Sequence, residues 1–133
     1  MTQASLYHLQ LNVSADGLRF YRDFFSELGY RIWQESDEHL AASDGTIDFW
    51  VIQTEPAHAH RPFHRKGTGL NHLAFRFDSR VEVDEFAARF LAPRGITPLY
   101  QSPKFYPEYA ANYYAVYFED PDRIKLEVMA LAH

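Results

Sequence analysis

The segment "GLNHLAFRF", residues 69–77, decides the fold, because a similar segment, "YHLQLNV", occurs earlier in the chain at residues 7–13. Each contains His-Leu followed by alternating apolar and polar residues, the period of a half-buried β-strand. Alternate side chains of a strand point to opposite faces, so the apolar residues share one face and the histidine lies on the other. Both segments therefore predict strands that cover a core and present a histidine on the opposite side.

The similarity between the two halves continues through a helix after each of these strands. The segments "SADGLRFYRDFFSELGY" (14–30) and "VEVDEFAARFLAPRGI" (81–96) have apolar residues at helical spacing, and Gly29 and Gly95 mark the two ends. Ser14 or Asp16 is the expected N-cap of the first helix. Further strands are predicted at "RIWQE" (31–35), "HLAA" (39–42), "IDFWVIQ" (47–53), "YYAVYFE" (113–119) and "RIKLEVMA" (123–130).

This pattern predicts an α+β fold built from two tandem βαβββ modules that form a curved mixed sheet around a central metal cavity. We expect a single domain over residues 1–133, with the first module at 1–54 and the second at 69–133. Residues 55–68, rich in proline, histidine and charge, form the expected connecting loop. His58, His60 and His64 in that loop lack a regular spacing or carboxylate partners, which favours solvated side chains over metal ligands.

Composition excludes several classes of function. The net charge is −5 and the Lys and Arg residues are scattered, so no basic surface for nucleic acid is expected. The absence of cysteine excludes disulfides and thiolate nucleophiles. No apolar run is long enough for a membrane span and no signal-peptide pattern is present, so we expect a cytoplasmic protein without membrane contact.

Three polar residues lie on the faces of predicted strands that point away from the core. His8 and His72 occupy equivalent places in the two repeats, and Glu127 lies on the strand that closes the second. A single histidine on a strand is usually a hydrogen-bonded structural residue, but the equivalence of these two weakens that explanation. Two imidazoles and a carboxylate that converge would make a facial site for one divalent metal ion, and Zn, Ni, Mn and Fe all suit those ligands.

The aromatic segment "KFYPEYAANYYAVYF", residues 104–118, is the second functional candidate. It is either a surface loop that enters an aromatic strand or a cap over the cavity. In the second case Tyr106 or Tyr114 is the candidate catalytic residue, because a phenol can donate a hydrogen bond to a developing oxyanion. The candidate substrate-binding residues are Trp50, Arg76, Phe105, Tyr109 and Tyr113. Rings around an open metal site predict a small aromatic or bulky substrate with two adjacent oxygens.

These segments resemble the vicinal oxygen chelate superfamily, which comprises glyoxalase I, bleomycin-resistance-type proteins and extradiol dioxygenases. The resemblance rests on "YHLQLNV", "GLNHLAFRF" and "YYAVYFEDPDRIKLEV", and it places the family's metal ligands at His8, His72 and Glu127. Glyoxalase I has a fourth ligand, which falls here on Trp50 or Asp48, and alignment of Phe49 with Leu126 favours Trp50.

The resemblance implies three alternative functions and a homodimer. The first is a metal-dependent lyase or isomerase that removes a proton beside a carbonyl. The second is an Fe(II)-dependent ring-cleaving dioxygenase, and the third is a metal-free protein that binds a drug or metabolite. One departure from the family pattern is Arg123, which stands where the turn usually has glycine. A left-handed backbone there would cost roughly 1 kcal/mol.

Overall fold

Each half of the chain forms its own four-stranded sheet. The computed structural model describes residues 2–132, and the chain divides into two compact units between Pro62 and Phe63, inside the predicted connecting loop. Each unit follows the order strand, helix, three strands, which confirms the predicted α+β fold of two βαβββ modules. No helix within residues 2–132 is long and apolar enough to cross a membrane.

In the first unit the first and last strands lie side by side. The sheet order is β1-β4-β3-β2, with β1 parallel to β4 and the other neighbours antiparallel. The elements are β1 (His8–Val13), α1 (Ala15–Glu27), β2 (Arg31–Glu35), β3 (His39–Ser43) and β4 (Asp48–Gln53). Ser14 is the N-cap of α1, since its Oγ accepts a hydrogen bond of 3.0 Å from the Gly17 amide.

The second unit repeats this topology. The sheet order is β5-β8-β7-β6, with β5 parallel to β8 and the other neighbours antiparallel. The elements are β5 (His72–Arg76), α2 (Arg80–Phe86), β6 (Leu99–Phe105), β7 (Tyr113–Glu119) and β8 (Lys125–Leu131). Because β8 lies between β5 and β7, its side chains are held from both sides.

Equivalent phenylalanine pairs stabilise the two helical segments. Phe20 and Phe24 stack with ring centroids 5.7 Å apart, and Phe86 and Phe90 stack at 5.2 Å. All four side chains are buried. Since the second pair lies 66 residues after the first, the duplication is preserved in the packing of the cores as well as in the strands.

The second helical segment is less regular than the sequence predicts. Instead of one α-helix over 81–96, α2 is followed by a π-helical turn at Ala87–Leu91 and a 3₁₀ turn at Ala92–Arg94. The segment ends at Gly95, whose φ of 66° is the left-handed conformation that glycine tolerates. The predicted helical segment and its end at Gly95 are therefore confirmed, and the structure shows that the type of helix changes along it.

The position of strand β6 was not predicted, because its sequence does not alternate. Tyr100 and Gln101 have φ values of 60° and 58°, and the pairing with β7 shifts register between Leu99 and Lys104. Pro103 also lies within the strand. A bulge and a proline both interrupt the regular strand pattern, so an edge strand of this kind escapes recognition from periodicity.

The turn "DPDR", residues 120–123, leads into β8 and sets its direction. Asp120 Oδ1 accepts hydrogen bonds from the Asp122 amide at 2.7 Å and the Ile124 amide at 2.8 Å. Arg123 has φ of 69°, so the left-handed backbone expected at this position is present. The turn therefore reaches the usual geometry through the Asp120 side chain, at the conformational cost of a non-glycine residue.

Candidate functional site

Glu127 is the centre of the polar site in the second unit. It lies on β8 opposite Ala74 of β5 and Tyr117 of β7, and its side chain is only 2% exposed. One carboxylate oxygen accepts a hydrogen bond from the Tyr113 hydroxyl. The other, Oε1, lies 3.1 Å from His72 Nε2. A carboxylate is buried at such a depth only when it is paired or bound to a metal.

His72 is oriented by its neighbour in the sequence. Its Nδ1 lies 2.7 Å from Asn71 Oδ1, and a carboxamide oxygen can only accept a hydrogen bond, so Nδ1 carries the proton. Nε2 then faces the Glu127 carboxylate. Two lone pairs cannot face each other at this distance without repulsion, so a proton or a metal cation must lie between Nε2 and the carboxylate.

Two tyrosines next to Glu127 remain proton donors. Burial raises the pKa of Tyr113 and of Tyr117 above the ordinary value, and the nearby Glu127 carboxylate raises both further. The two hydroxyls therefore stay protonated at neutral pH. The Tyr113 hydroxyl also stabilises the charge of the buried carboxylate through its hydrogen bond.

A cavity of about 250 Å³ opens beside this pair. It is lined by His72, Tyr100, Tyr106, Tyr109, Tyr117 and Lys125. Lys125 Nζ lies 2.9 Å from the Tyr100 hydroxyl and 4.9 Å from the centroid of the Tyr117 ring. This ammonium group lowers the pKa of Tyr100. The cavity thus combines aromatic walls with one cation and one imidazole.

Among the predicted aromatic residues, Tyr106 and Tyr109 line this cavity and Tyr113 contacts Glu127. The structure does not bring Tyr114 or Phe105 to the cavity. They pair across β6 and β7, their rings are 4.9 Å apart, and Arg80 lies over both. The Tyr114 hydroxyl donates to Asp84 at 2.5 Å, because Tyr114 occupies the face of β7 that α2 covers.

The remaining predicted binding residues lie elsewhere in their own sheets. Arg76 is exposed at the end of β5 and is not among the residues that line the cavity. Trp50 packs edge-on against Trp33, with ring centroids 5.3 Å apart, and stacks with His39 at 6.2 Å. His8 is exposed at the start of β1, where the ring of Tyr7 contacts it edge-on.

Strand register decides the alignment of the two repeats. In the first sheet His8 pairs with Asp48 and Gln10 with Trp50, whereas in the second His72 pairs with Lys125 and Ala74 with Glu127. Trp50 is therefore the equivalent of Glu127, and Asp48 is the equivalent of Lys125. This is the register that the apolar phase of Phe49 favours.

Of the three predicted metal ligands, the structure of the second unit brings His72 and Glu127 together. Among residues 2–132, no three His, Cys, Asp or Glu side chains form a group that could hold a metal ion. The second unit contributes a pair, His72 and Glu127, whose donor atoms are close enough to share one cation. The chemistry of this pair therefore fits two ligands of a divalent ion.

Sequence reasoning missed three residues of the cavity: Lys125, Tyr100 and Tyr117. Two of them could have been found from strand alternation, because Lys125 shares its face with Glu127, and Tyr117 shares its face with Tyr113. Tyr100 could not, since it lies in the irregular part of β6.

The fold and the His–Glu pair define the class of duplicated βαβββ proteins with a polar site on the second sheet. A Bacillus subtilis protein of uncharacterised function, YqjT, is 32% identical over 127 residues, which are 94% of this chain and 98% of that protein. A candidate glyoxalase from Bacillus halodurans is 38% identical, with 96% of both chains covered and a TM-score of 0.85.

A glyoxalase, bleomycin resistance protein and dioxygenase domain from Frankia shares the fold. Its identity is 20%, 97% of this chain and 98% of that chain are covered, and the TM-score is 0.69. No family model matches the sequence. The chain belongs to the glyoxalase, bleomycin resistance and dioxygenase family, the vicinal oxygen chelate superfamily, as the strand motifs implied.

Proposed function

We propose that the chain is a metal-dependent, glyoxalase-like enzyme in which His8, His72 and Glu127 hold one divalent ion. It acts as a lyase or isomerase on a small substrate that binds through two neighbouring oxygens. The observation that carries this proposal is the 3.1 Å approach of His72 Nε2 to Glu127 Oε1 while Asn71 occupies Nδ1. A divalent ion held by the two groups would stabilise this arrangement. His8 enters through its equivalent strand position and the family resemblance.

The ion would supply Lewis-acid stabilisation of the negative charge that develops on a substrate oxygen. The chain's own residues would orient the metal ligands and stabilise the substrate oxygen. Tyr113 holds the Glu127 carboxylate by its hydrogen bond, as an outer-shell partner does for a metal ligand. Tyr106 lies at the cavity wall, and burial raises its pKa, so its hydroxyl is a proton donor at neutral pH. Such a donor stabilises an oxyanion. The Tyr114 hydroxyl is already committed to Asp84.

One observation favours a second candidate, a metal-free protein that binds a small molecule. The Tyr113 hydroxyl donates to Glu127 and His72 Nε2 lies 3.1 Å from it, so the buried carboxylate has polar partners without a metal ion. For the metal-loaded protein, the aromatic cavity also suits the ring-cleaving dioxygenase alternative. Assays of the metal-loaded protein with catechols and with 2-oxo aldehydes separate that reaction from a lyase or isomerase.

Metal analysis of untagged protein, purified without added metal, tests the proposal. We expect one divalent ion per chain, and we expect His72→Ala and Glu127→Gln to lose it. His58→Ala and Glu55→Gln in the connecting loop are the matched controls and should retain it. His8→Ala shows whether the third ligand is correct. Full metal content in the His72 and Glu127 variants would contradict the proposed ligands, and a metal-free wild-type protein that binds aromatic chelators would favour the second candidate.

We also propose that the chain forms a homodimer in the cytoplasm, as the resemblance and the composition imply. Light scattering after size-exclusion chromatography should give twice the chain mass of 15.5 kDa. Cell fractionation should recover the protein with cytoplasmic markers. A mass of one chain would contradict the dimer.

A further inference from the structure

We infer that the cavity of the second unit recognises a small aromatic carboxylate, with Lys125 and Tyr106 as the groups that bind its anionic end. The inference deepens the proposed function and rests on it in one respect: it names the substrate class of the same site. An unpaired hydroxyl, an uncompensated cation and the volume of the cavity support it, and none of the three depends on a metal ion.

The first observation is the hydroxyl of Tyr106. The residue is 7% exposed and its oxygen is buried, yet it makes no hydrogen bond to any residue from 2 to 132. The nearby Ser102 hydroxyl already donates to the Leu99 carbonyl and accepts from the Tyr117 amide. A buried donor without a partner costs about 1–3 kcal/mol. Tyr106 lines the cavity, and an acceptor on a bound ligand would satisfy the hydroxyl if it comes within hydrogen-bond distance of that oxygen.

The second observation is the charge of Lys125. Its cross-strand neighbour is Glu119, but that carboxylate pairs with Arg65 at 2.6 Å and lies 3.4 Å from Arg123. Within the described part of the chain, Lys125 contacts the Tyr100 hydroxyl and the rings of Tyr100 and Tyr117 instead of a carboxylate. The ammonium group is thus positioned at the wall with no anionic partner.

The charges of the residues that line the cavity favour an anionic ligand. No carboxylate is among the six residues that line it. Glu127 lies close by, but its oxygens face Tyr113 and His72. A ligand anion beside Lys125 therefore gains a charge-assisted hydrogen bond.

The size and walls of the cavity limit the rest of the ligand. A volume of about 250 Å³ is below the roughly 300–1,000 Å³ of sites for drug-sized molecules, which indicates a ligand with one ring. Tyr100, Tyr106, Tyr109 and Tyr117 supply aromatic surfaces on which such a ring packs. A single aromatic ring with a carboxylate satisfies the rings, the ammonium and the free hydroxyl together.

The experiment uses the full chain after metal removal by EDTA, with benzoate as the probe. Benzamide has the same ring without the charge, and acetate has the charge without the ring. Isothermal titration should give a benzoate Kd about tenfold or more below those of both comparison ligands, the usual gain from a charge-assisted contact. Equal binding of benzoate and benzamide would overturn the inference.

Variants assign the effect to the two residues. Lys125→Gln should raise the benzoate Kd to that of benzamide, and Lys66→Gln, the same change in the connecting loop, should not alter it. Tyr106→Phe should weaken benzoate several-fold, while Tyr7→Phe on the first unit should have no effect. Near-ultraviolet circular dichroism verifies that each variant is folded. Benzoate affinity that is unchanged in Lys125→Gln would also overturn the inference.

The two proposals fail in different ways. If the wild-type protein contains no metal and still prefers benzoate to benzamide, the enzyme proposal is wrong and the carboxylate site stands. If metal is bound through His72 and Glu127 but the metal-free protein does not discriminate between the probes, the carboxylate site is wrong and the metal centre stands.

Discussion

Strands β4 and β8 occupy the same place in their respective sheets and carry different chemistry. Trp50 on β4 packs against Trp33 and His39, whereas its equivalent Glu127 is a buried carboxylate surrounded by donors. The strand register and the stacked phenylalanine pairs are the same in both units. The apolar face of each sheet therefore specifies the duplicated βαβββ topology, and the opposite face is free to differ between the two units.

The largest expected effect is a loss of stability on truncation of equivalent phenylalanines in the two cores. Phe24→Ala and Phe90→Ala remove equivalent rings that are 0% and 1% exposed. Each should lower the free energy of unfolding by about 3–5 kcal/mol, because each leaves a cavity in a buried aromatic cluster. Urea denaturation measures both. A large loss for one and a loss below about 1 kcal/mol for the other would break the equivalence of the two cores.

The next effect concerns the position at which the sheets differ. Glu127→Gln places an amide opposite the hydroxyl of Tyr113 and should cost about 1–3 kcal/mol of stability in the metal-free protein. Trp50→Phe keeps an aromatic ring at a partly exposed position and should cost less, about 1 kcal/mol. Denaturation of the two variants side by side checks the order. The reverse order would mean that the carboxylate contributes less to the stability of its sheet than Trp50 contributes to the first.

Alkaline pH should destabilise both units for the same reason. Burial raises the pKa of Tyr30 to about 12 and also raises that of Tyr117 above the ordinary 10.0. The folded state then holds protons that the unfolded state has lost. The stability that these two tyrosines contribute is therefore fully present below about pH 10 and falls as pH rises toward the folded pKa values, by about 1.4 kcal/mol per pH unit for each tyrosine.

Unfolding of Tyr30→Phe and Tyr117→Phe at pH 9 and pH 11 measures this dependence. Each variant should lose less stability between the two pH values than the wild type. Tyr7→Phe, at an exposed position, is the control and should retain the wild-type slope. An unchanged slope in Tyr117→Phe would show that Tyr117 does not contribute to the alkaline loss.

The smallest effect compares the turns that lead into β4 and β8. Asp44 and Asp120 accept two backbone hydrogen bonds each, but the left-handed position is Gly45 in the first turn and Arg123 in the second. Arg123→Gly should raise the free energy of unfolding by about 1 kcal/mol, and Gly45→Arg should lower it by about the same amount. Arg123→Ala keeps the backbone cost and should not stabilise. Thermal denaturation of the three variants checks the signs.

The part of the fold that follows from alternation could be predicted, and the part that depends on bulges could not. The spacing of Phe20 and Phe24 and the His-Leu motif were enough to identify two equivalent modules. In contrast, Tyr100 and Gln101 in a left-handed backbone give β6 no periodic signal. The transition from α2 to a π-helical turn also has no recognisable signal in the sequence.

The candidate site shows the same division. Alternation assigns Glu127 and Lys125 to one face and could have separated Tyr113, which contacts Glu127, from Tyr114, which bonds to Asp84. The position of Tyr106 depends instead on the irregular strand β6 and the turn after it. The direction of a side chain on a regular strand follows from the sequence. The parts of the cavity wall that loops form can be identified from the structure alone.

The parallel pairing of β5 with β8 has a consequence for synthesis on the ribosome. The first sheet has all its strands once Gln53 has left the exit tunnel, so these strands can pair soon after they are made. Strand β5 has β8 as its neighbour in the sheet and must wait until residues 125–131 are translated. Contacts between distant segments form late. Strand β5 therefore stays unpaired with β8 while about fifty further codons are translated, and its apolar face with Leu73 and Phe75 is exposed during that interval.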